Sequence, residues 1–312
     1  LVGSAGTFDP GGISIKPSSG MEEMKMDMGG GAAVILATAL IARLGLPVEV
    51  LAVVPATENM PSGRALKPGD VLTAMNGRTV EVINTDAEGR LILADALAYA
   101  AREGATRMID LATLTGAIVV ALGEVYAGLF GSDEDFTRLV REAGEESGDL
   151  AWPMPMHERY RPLIESKVAD LTNSSNKRQA GPVYAAQFLR EFTDGLPWCH
   201  VDIAGTAMPS GHGSGFGVRL LLEVAERLGR PAGGVTAYLI LAAVAVAVVG
   251  VVAKVTVDVR RELREDREAH GGRQTRAAAR RAMWIFAFVA LLVLAVIVWP
   301  LILGADEPSP LP

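Results

Sequence analysis

Asn84-Thr85-Asp86-Ala87-Glu88-Gly89-Arg90 is the stretch on which the reading of this chain turns. Two carboxylates and a guanidinium fall within five residues, and the apolar helical pattern Leu91-Ile92-Leu93-Ala94-Asp95-Ala96-Leu97 follows. Carboxylates at i and i+2 do not share a helix face, yet in a loop or a first helical turn both can converge on one point. The plain reading is a helix cap, with Asn, Thr or Asp at the start and Glu in the first turn. The other reading is a cation site. A helix N-terminus repels cations through its dipole, so a metal held there requires more carboxylates from elsewhere in the chain.

The chain upstream can supply them. Residues 3–31 are rich in Gly, Ser, Asp and Met and read as a long loop entering a helix; they contain Asp9, Gly11, Gly12, Lys16 and Asp27. Glycines let a backbone approach a ligand closely, and a loop can fold Asp9 and Asp27 onto one site. For any one of these residues alone, a solvated polar loop is the plain alternative. Taken together, Asp9, Asp27, Asp86 and Glu88 bring four carboxylates from three segments, with the cations Lys16 and Arg90 close in sequence. One divalent ion needs fewer. Four, some bridging, suit two ions roughly 3.5–4 Å apart, which together activate water and polarise a carbonyl. A lysine beside them can hold a developing oxyanion. The planar fork of an arginine can orient a small carboxylate-like anion.

Composition bounds the alternatives. The chain has 312 residues, a net charge of −7, four histidines and one cysteine. That charge excludes a general nucleic-acid binder, and no nucleic-acid partner is expected. The histidines form no HExxH pair, so any metal is bound mainly through oxygen. Cys199 excludes an internal disulfide and suits a reducing compartment. It lies in the apolar run 198–203 and reads as a buried structural thiol. A serine hydrolase built on Ser4 or Ser14 has no positioned His–Asp partner.

In order, residues 31–44 form an apolar helix ended by Gly45 and Pro47. Residues 48–55 are a continuous apolar run, read as a buried parallel strand. Residues 71–75 and 79–83 flank Asn76-Gly77, a hairpin signal leading straight into residues 84–90. A helix to about residue 102 precedes a buried strand at 107–111. Residues 112–117 then leave that strand and open another helix. A strand at 126–131, an acidic amphipathic helix at 133–147, a helix at 182–192, a strand at 198–203 and a last helix at 218–228 complete this part. Residues 173–181 read as a polar, flexible loop. The alternation predicts an α/β fold with a mainly parallel or mixed sheet sandwiched by helices. Loops at the carboxyl ends of its strands are where such sheets bind ligands.

Composition changes at residues 231–234. Residues 235–257 and 282–303 are almost wholly apolar, each long enough to cross about 30 Å of hydrocarbon as a helix. Trp284 and Trp299 suit interfacial belts, and the Arg-rich loop 258–281 is cytoplasmic by the positive-inside rule. Two transmembrane helices are therefore expected after residue 230, with a short acidic tail. The opening Leu1-Val2-Gly3 reads as the end of a strand, with no initiator Met and no signal peptide, so that residues normally preceding it are expected to be absent. A hairpin with its loop inside leaves residues 1–230 outside, and nothing in the sequence shows how that segment would be exported.

Residues 1–230 resemble the catalytic domain of the leucyl aminopeptidase family, cytosolic two-metal exopeptidases. The motifs that carry the resemblance are Thr7-Phe8-Asp9 with Gly11-Gly12-Ile13-Ser14-Ile15-Lys16, Met24-Lys25-Met26-Asp27-Met28-Gly29-Gly30 and Glu58-Asn59-Met60-Pro61-Ser62-Gly63. They continue through residues 84–97 and 112–117 to His200-Val201-Asp202-Ile203-Ala204-Gly205-Thr206-Ala207. The resemblance stops before residue 232. It implies that Asp9, Asp27, Asp86 and Glu88 are ligands of two divalent cations, Mn or Zn, with Asp9 and Glu88 bridging and the Asp86 carbonyl joining its carboxylate. It implies that Lys16 stabilises the gem-diolate and that Arg90 holds a bicarbonate that relays a proton. Met24, Thr113, Leu114 and Gly116 would line the pocket for the first side chain of a peptide with a free N-terminus. It also implies a cytoplasmic homo-hexamer.

Three departures matter. The family places a metal-ligating lysine five residues before Asp9, where this chain has Ser4. Pro10 replaces the usual Ser or Thr beside Asp9, removing a backbone donor and biasing Asp9 towards extended backbone. The resemblance covers only the family's catalytic domain, and its N-terminal domain is expected to be missing. Two functions follow as expectations: a metallo-aminopeptidase fused to a membrane hairpin, or a catalytically impaired, membrane-attached remnant of that fold.

Overall fold

The computed structural model describes residues 1–230 except residue 178, together with scattered helical positions between 250 and 284. The chain divides into two compact units, Leu1–Arg230 and Pro231–Pro312. In the second unit the described residues, Gly250, Lys254, Val257 and Trp284 among them, are helical. Arg261 Nε there donates to Glu265 Oε1 at 3.0 Å, one turn along. Apart from such positions, the expected membrane runs 235–257 and 282–303 lie outside the described residues.

Among its described residues the first unit contains ten strands: β1 (Val2–Gly3), β2 (Ala5–Phe8), β3 (Ala56–Glu58), β4 (Val71–Thr73), β5 (Thr79–Glu81), β6 (Met108–Ala112), β7 (Ala127–Gly131), β8 (Ala151–Pro153), β9 (Leu171–Thr172) and β10 (Trp198–Asp202). Its α-helices are α1 (Gly29–Leu44), α2 (Gly89–Arg102), α3 (Gly116–Leu122), α4 (Glu134–Ser147), α5 (Gly181–Arg190) and α6 (Val218–Gly229). The central sheet runs β1-β6-β10-β7-β8. Its pairs are parallel except β10–β7, so the sheet is mixed.

Alternation along the strands builds a core on each face. Met108, Phe130 and Trp198 join Leu93 and Leu97 of α2 and Phe188 of α5 on one side. Ile109, Leu111, Leu129 and Val201 join Val34 of α1, Val140 of α4 and Leu220 of α6 on the other. This is the helix–sheet–helix sandwich that the alternating pattern predicts. The caps are as local chemistry requires: Phe136 N donates to Asp133 Oδ1 at 2.8 Å, starting α4,.

One strand assignment is corrected. Residues 48–55 run beside the start of the chain but form an isolated bridge at Val2–Val53 rather than a strand. Gly3 N and Ala5 N donate to Val53 O and Pro55 O, both at 3.1 Å. The run lies at the sheet edge, with Leu51 39% exposed, and prolines at 47 and 55 remove ladder donors. Residues 21–28 are also more ordered than a loop, forming the 3-10 segment Met21–Met28 that carries Asp27.

Met21–Leu44 is the stretch among the described residues long and apolar enough to cross a membrane, but α1 packs on β1, β6 and α6 as a core helix. Its close approach to the sheet depends on Gly30. A β-carbon there would collide with Leu111 O and lie 3.2 Å from Ala112 Cα. Gly30→Ala is therefore expected to destabilise the protein by about 3 kcal/mol, at the upper end of overpacking costs, seen as a lower urea midpoint.

Candidate active site

The site gathers at the carboxyl ends of strands. β2 and β3 pair in parallel with Phe8 opposite Glu58, so Asp9 and Asn59 emerge side by side. The hairpin β4–β5 delivers the 84–90 loop to the same place. Asp86 N donates to Asn84 Oδ1 at 3.0 Å, which turns the chain before α2,. Thr85 stitches the two loops together: its Oγ1 donates to Gly11 O at 2.6 Å and accepts from Ser14 N at 2.8 Å. Glu88 occupies the cap position of α2, yet no side chain caps that helix. The Glu88 carboxylate is thus not spent on capping the helix.

Oxygens of Asp9, Asp86 and Glu88 lie within 4.8 Å of one another. The Lys16 ammonium pairs with Asp9 Oδ2 and Asp86 Oδ1. Asn59 Nδ2 donates to Asp9 Oδ1 at 2.8 Å and to Glu88 Oε2 at 3.2 Å. Asp27, on the 3-10 segment, is not in that triplet. Its Oδ1 accepts from Thr113 Oγ1 at 2.7 Å, and its Oδ2 faces Gly6, where a β-carbon would collide with it.

The electrostatics record a surplus of negative charge. Burial, reinforced by Asp9 and Asp27, pushes Glu88 up to about 8. Burial pushes Asp27 up to about 7, with Asp9 and Asp86 adding to the rise and the Thr113 hydrogen bond opposing it. Asp86 is raised too, mainly by burial, against the pull of Lys16. Burial works against the Lys16 charge, but hydrogen bonds and attraction from Asp86 and Asp9 outweigh it and raise its pKa. One ammonium does not balance these carboxylates, and a multivalent cation would.

Arg90 is buried on the first turn of α2. Its Nη1 donates to Asn173 O at 2.8 Å, and its guanidinium lies 5.2 Å from the Tyr184 ring centroid. Its Nε has no partner among the described residues, which leaves a buried donor for an anion or other acceptor,. Asn173 opens a run whose composition predicts a flexible loop, yet it is fully buried. Its Oδ1 accepts from Ile83 N at 2.9 Å and its Nδ2 donates to Asn84 O at 2.7 Å. The parallel β5–β9 pair, with Glu81 opposite Thr172, brings it there.

The four expected pocket residues are placed unevenly. Thr113 touches Asp27. Leu114 Cδ1 lies 3.2 Å from a β-carbon built on Gly89, next to Glu88. Met24 is half-buried on the segment that carries Asp27, and Gly116 is exposed at the start of α3. Residues 113–115 are fixed by buried Asp202, whose Oδ1 accepts from Leu114 N at 3.1 Å and whose Oδ2 accepts from Thr115 Oγ1 at 2.6 Å. Sequence reasoning gave Asn59, Asn173 and Asp202 no role. Asn59 and Asp202 did lie within motifs it singled out.

Comparison with known proteins bears on the first unit. The catalytic domain of the cytosol aminopeptidase family matches residues 1–222. A probable cytosol aminopeptidase of Alkaliphilus oremlandii (strain OhILAs) is 52% identical over 235 residues, covering 73% of this chain and 47% of that protein. One of Chlorobaculum parvum (strain DSM 263 / NCIMB 8327) is 56% identical over 234 residues, covering 72% of this chain and 46% of the relative. The chain thus spans about half the length of the curated relatives it matches. By the match across residues 1–222, it belongs to the cytosol aminopeptidase family.

Proposed function

We propose that this chain is a metallo-aminopeptidase that removes the first residue from peptides with a free N-terminus. What carries the reading is the convergence of Asp9, Asp86 and Glu88 within 4.8 Å, from segments more than seventy residues apart. The donor set fits divalent cations. It is made of hard oxygens, and its carboxylate surplus exceeds what Lys16 neutralises. Asp9, Asp86 and Glu88 would hold one ion, and Asp27 with the shared Asp9 and Glu88 a second, Mn or Zn. Bound there, such ions supply an activated water and polarise the scissile carbonyl.

The chain's own side chains do the rest. Lys16, once displaced from its carboxylate partners, holds the developing oxyanion. Arg90, through its buried Nε, would hold a bicarbonate, which would supply a proton-relaying group there. Met24, Thr113, Leu114 and Gly116 surround the substrate's first side chain. The names of the relatives support a cytoplasmic peptidase unit. The protein acts as a homo-oligomer, a hexamer, attached to a membrane through residues 235–303.

A second reading has its own support. Ser4 is buried, with its N bonded to Leu111 O at 3.1 Å and its O accepting from Gly31 N at 2.7 Å. It brings a short hydroxyl where the resemblance calls for an amine, which gives a catalytically impaired member of the family. Hydrolysis of Leu-p-nitroanilide by the full chain, with Mn or Zn and with chelator, separates the two. The first reading expects chelator-sensitive hydrolysis, and a gain on the order of tenfold in Ser4→Lys at limiting metal, ~1.4 kcal/mol of binding. Hydrolysis by Ser4→Lys alone favours the impaired enzyme. Hydrolysis by neither contradicts the assignment.

A further inference from the structure

Asn59 emerges from β3 beside Asp9, and its backbone N is tied to Phe8 O at 3.3 Å. From there its side-chain nitrogen meets three acceptors: Asp9 Oδ1 at 2.8 Å, Thr85 O at 2.8 Å and Glu88 Oε2 at 3.2 Å. An amide carries two hydrogens on that nitrogen and no charge. Turned the other way, its oxygen would face three oxygens, so the network fixes its orientation. One neutral group therefore joins the end of β2, the end of β3 and the 84–90 loop.

We propose that Asn59 is a positioning residue for cation binding, whose amide sets the separation of the Asp9 and Glu88 oxygens. The inference rests on the metallo-aminopeptidase reading above. The bonding pattern favours it over a packing role. Two of the three acceptors are carboxylates of the proposed ligand set, and the third is the carbonyl of Thr85, next to Asp86. Asp9 Oδ1 also accepts from Gly11 N at 2.9 Å, so that oxygen is held by two neutral donors. Neutral donors orient the carboxylates without competing with a cation for their charge. Groups that orient metal ligands in this way typically govern affinity by 10–100-fold.

The test is calorimetric titration of the full chain with Mn²⁺, on the unaltered protein and on Asn59→Ala, Asn59→Ser and Asp86→Ala. The thermal midpoint of each metal-free protein is measured alongside. Asn59→Ala is expected to weaken Mn²⁺ binding by roughly 10–100-fold. Asn59→Ser, whose hydroxyl can donate one bond, falls between, and it decides the matter if the alanine variant does not fold. Asp86→Ala is expected to lose one of the two ions. If the Asn59 variants bind Mn²⁺ within twofold of the unaltered chain while Asp86→Ala does not, Asn59 serves structure alone and the proposal is overturned. If the unaltered chain and Asp86→Ala behave alike, the metal reading fails and this inference fails with it.

Discussion

Asp86→Ala is expected to leave less than about a thousandth of the metal-dependent hydrolysis of Leu-p-nitroanilide. Deleting a single oxyanion donor in a preorganised site already costs about 10²–10³ in rate, and Asp86 does more than such a donor. Its carboxylate is one corner of the Asp9–Asp86–Glu88 triplet, and it pairs with Lys16. Removing it takes away a proposed ligand and leaves Lys16 to Asp9 alone. The fold should survive, because Asp86 is only partly buried and the turn it sits on is held by Thr85, Asn84 and Asn173. Circular dichroism and the urea midpoint provide the control. Hydrolysis within tenfold of the unaltered chain would remove Asp86 from the mechanism.

The largest stability effect is expected away from the site, at Asp110. This carboxylate is fully buried on β6. Its Oδ1 pairs with His200 Nδ1 at 2.6 Å, and its Oδ2 accepts from Trp198 Nε1 at 2.6 Å. All three side chains lie on one face of the sheet, where β6 and β10 pair with Asp110 opposite His200. Burial opposes a charge on His200, but the neighbouring Asp110 carboxylate overrides it and raises the imidazole pKa. Asp110→Ala strands two buried donors and leaves a void. Its cost is expected at about 3–5 kcal/mol, the range for breaking a buried pair from one side. Asp110→Asn keeps an acceptor for one donor and is expected to cost less. Urea unfolding measures both, and a loss below about 1 kcal/mol for the alanine variant would show that the network adds nothing.

Local signals carried much of the first unit. Asn76-Gly77 predicts a hairpin, and Gly77 adopts φ 87° between β4 and β5. The apolar runs 107–111 and 198–203 each predict a strand, found as β6 and β10, and the structure pairs the two in parallel. What failed was information that no local window holds. The run 48–55 is apolar enough for a buried strand, but composition does not say whether a sheet continues beyond it. Nor does it give strand direction, and β7 runs against β10.

The site divides in the same way. Asp86 and Glu88 announce themselves by sitting two apart before a helix, and Asp9 and Lys16 by their glycine-rich surroundings. Asn59 and Asn173 read as ordinary turn formers. Their importance arises from register: Phe8 opposite Glu58 and Glu81 opposite Thr172 carry each amide to its partners. Asp202 is hidden for a similar reason, being the last residue of an apolar strand that ends where residues 113–115 need an acceptor.

The most direct measurement is the anomalous difference density of a crystal of the full chain grown with Mn²⁺. A peak is expected, bounded by oxygens of Asp9, Asp86 and Glu88 at ligand distance, about 2–2.5 Å, with the Lys16 ammonium moved out from between its carboxylate partners. A map without density there, at Mn²⁺ concentrations that support hydrolysis, would contradict it.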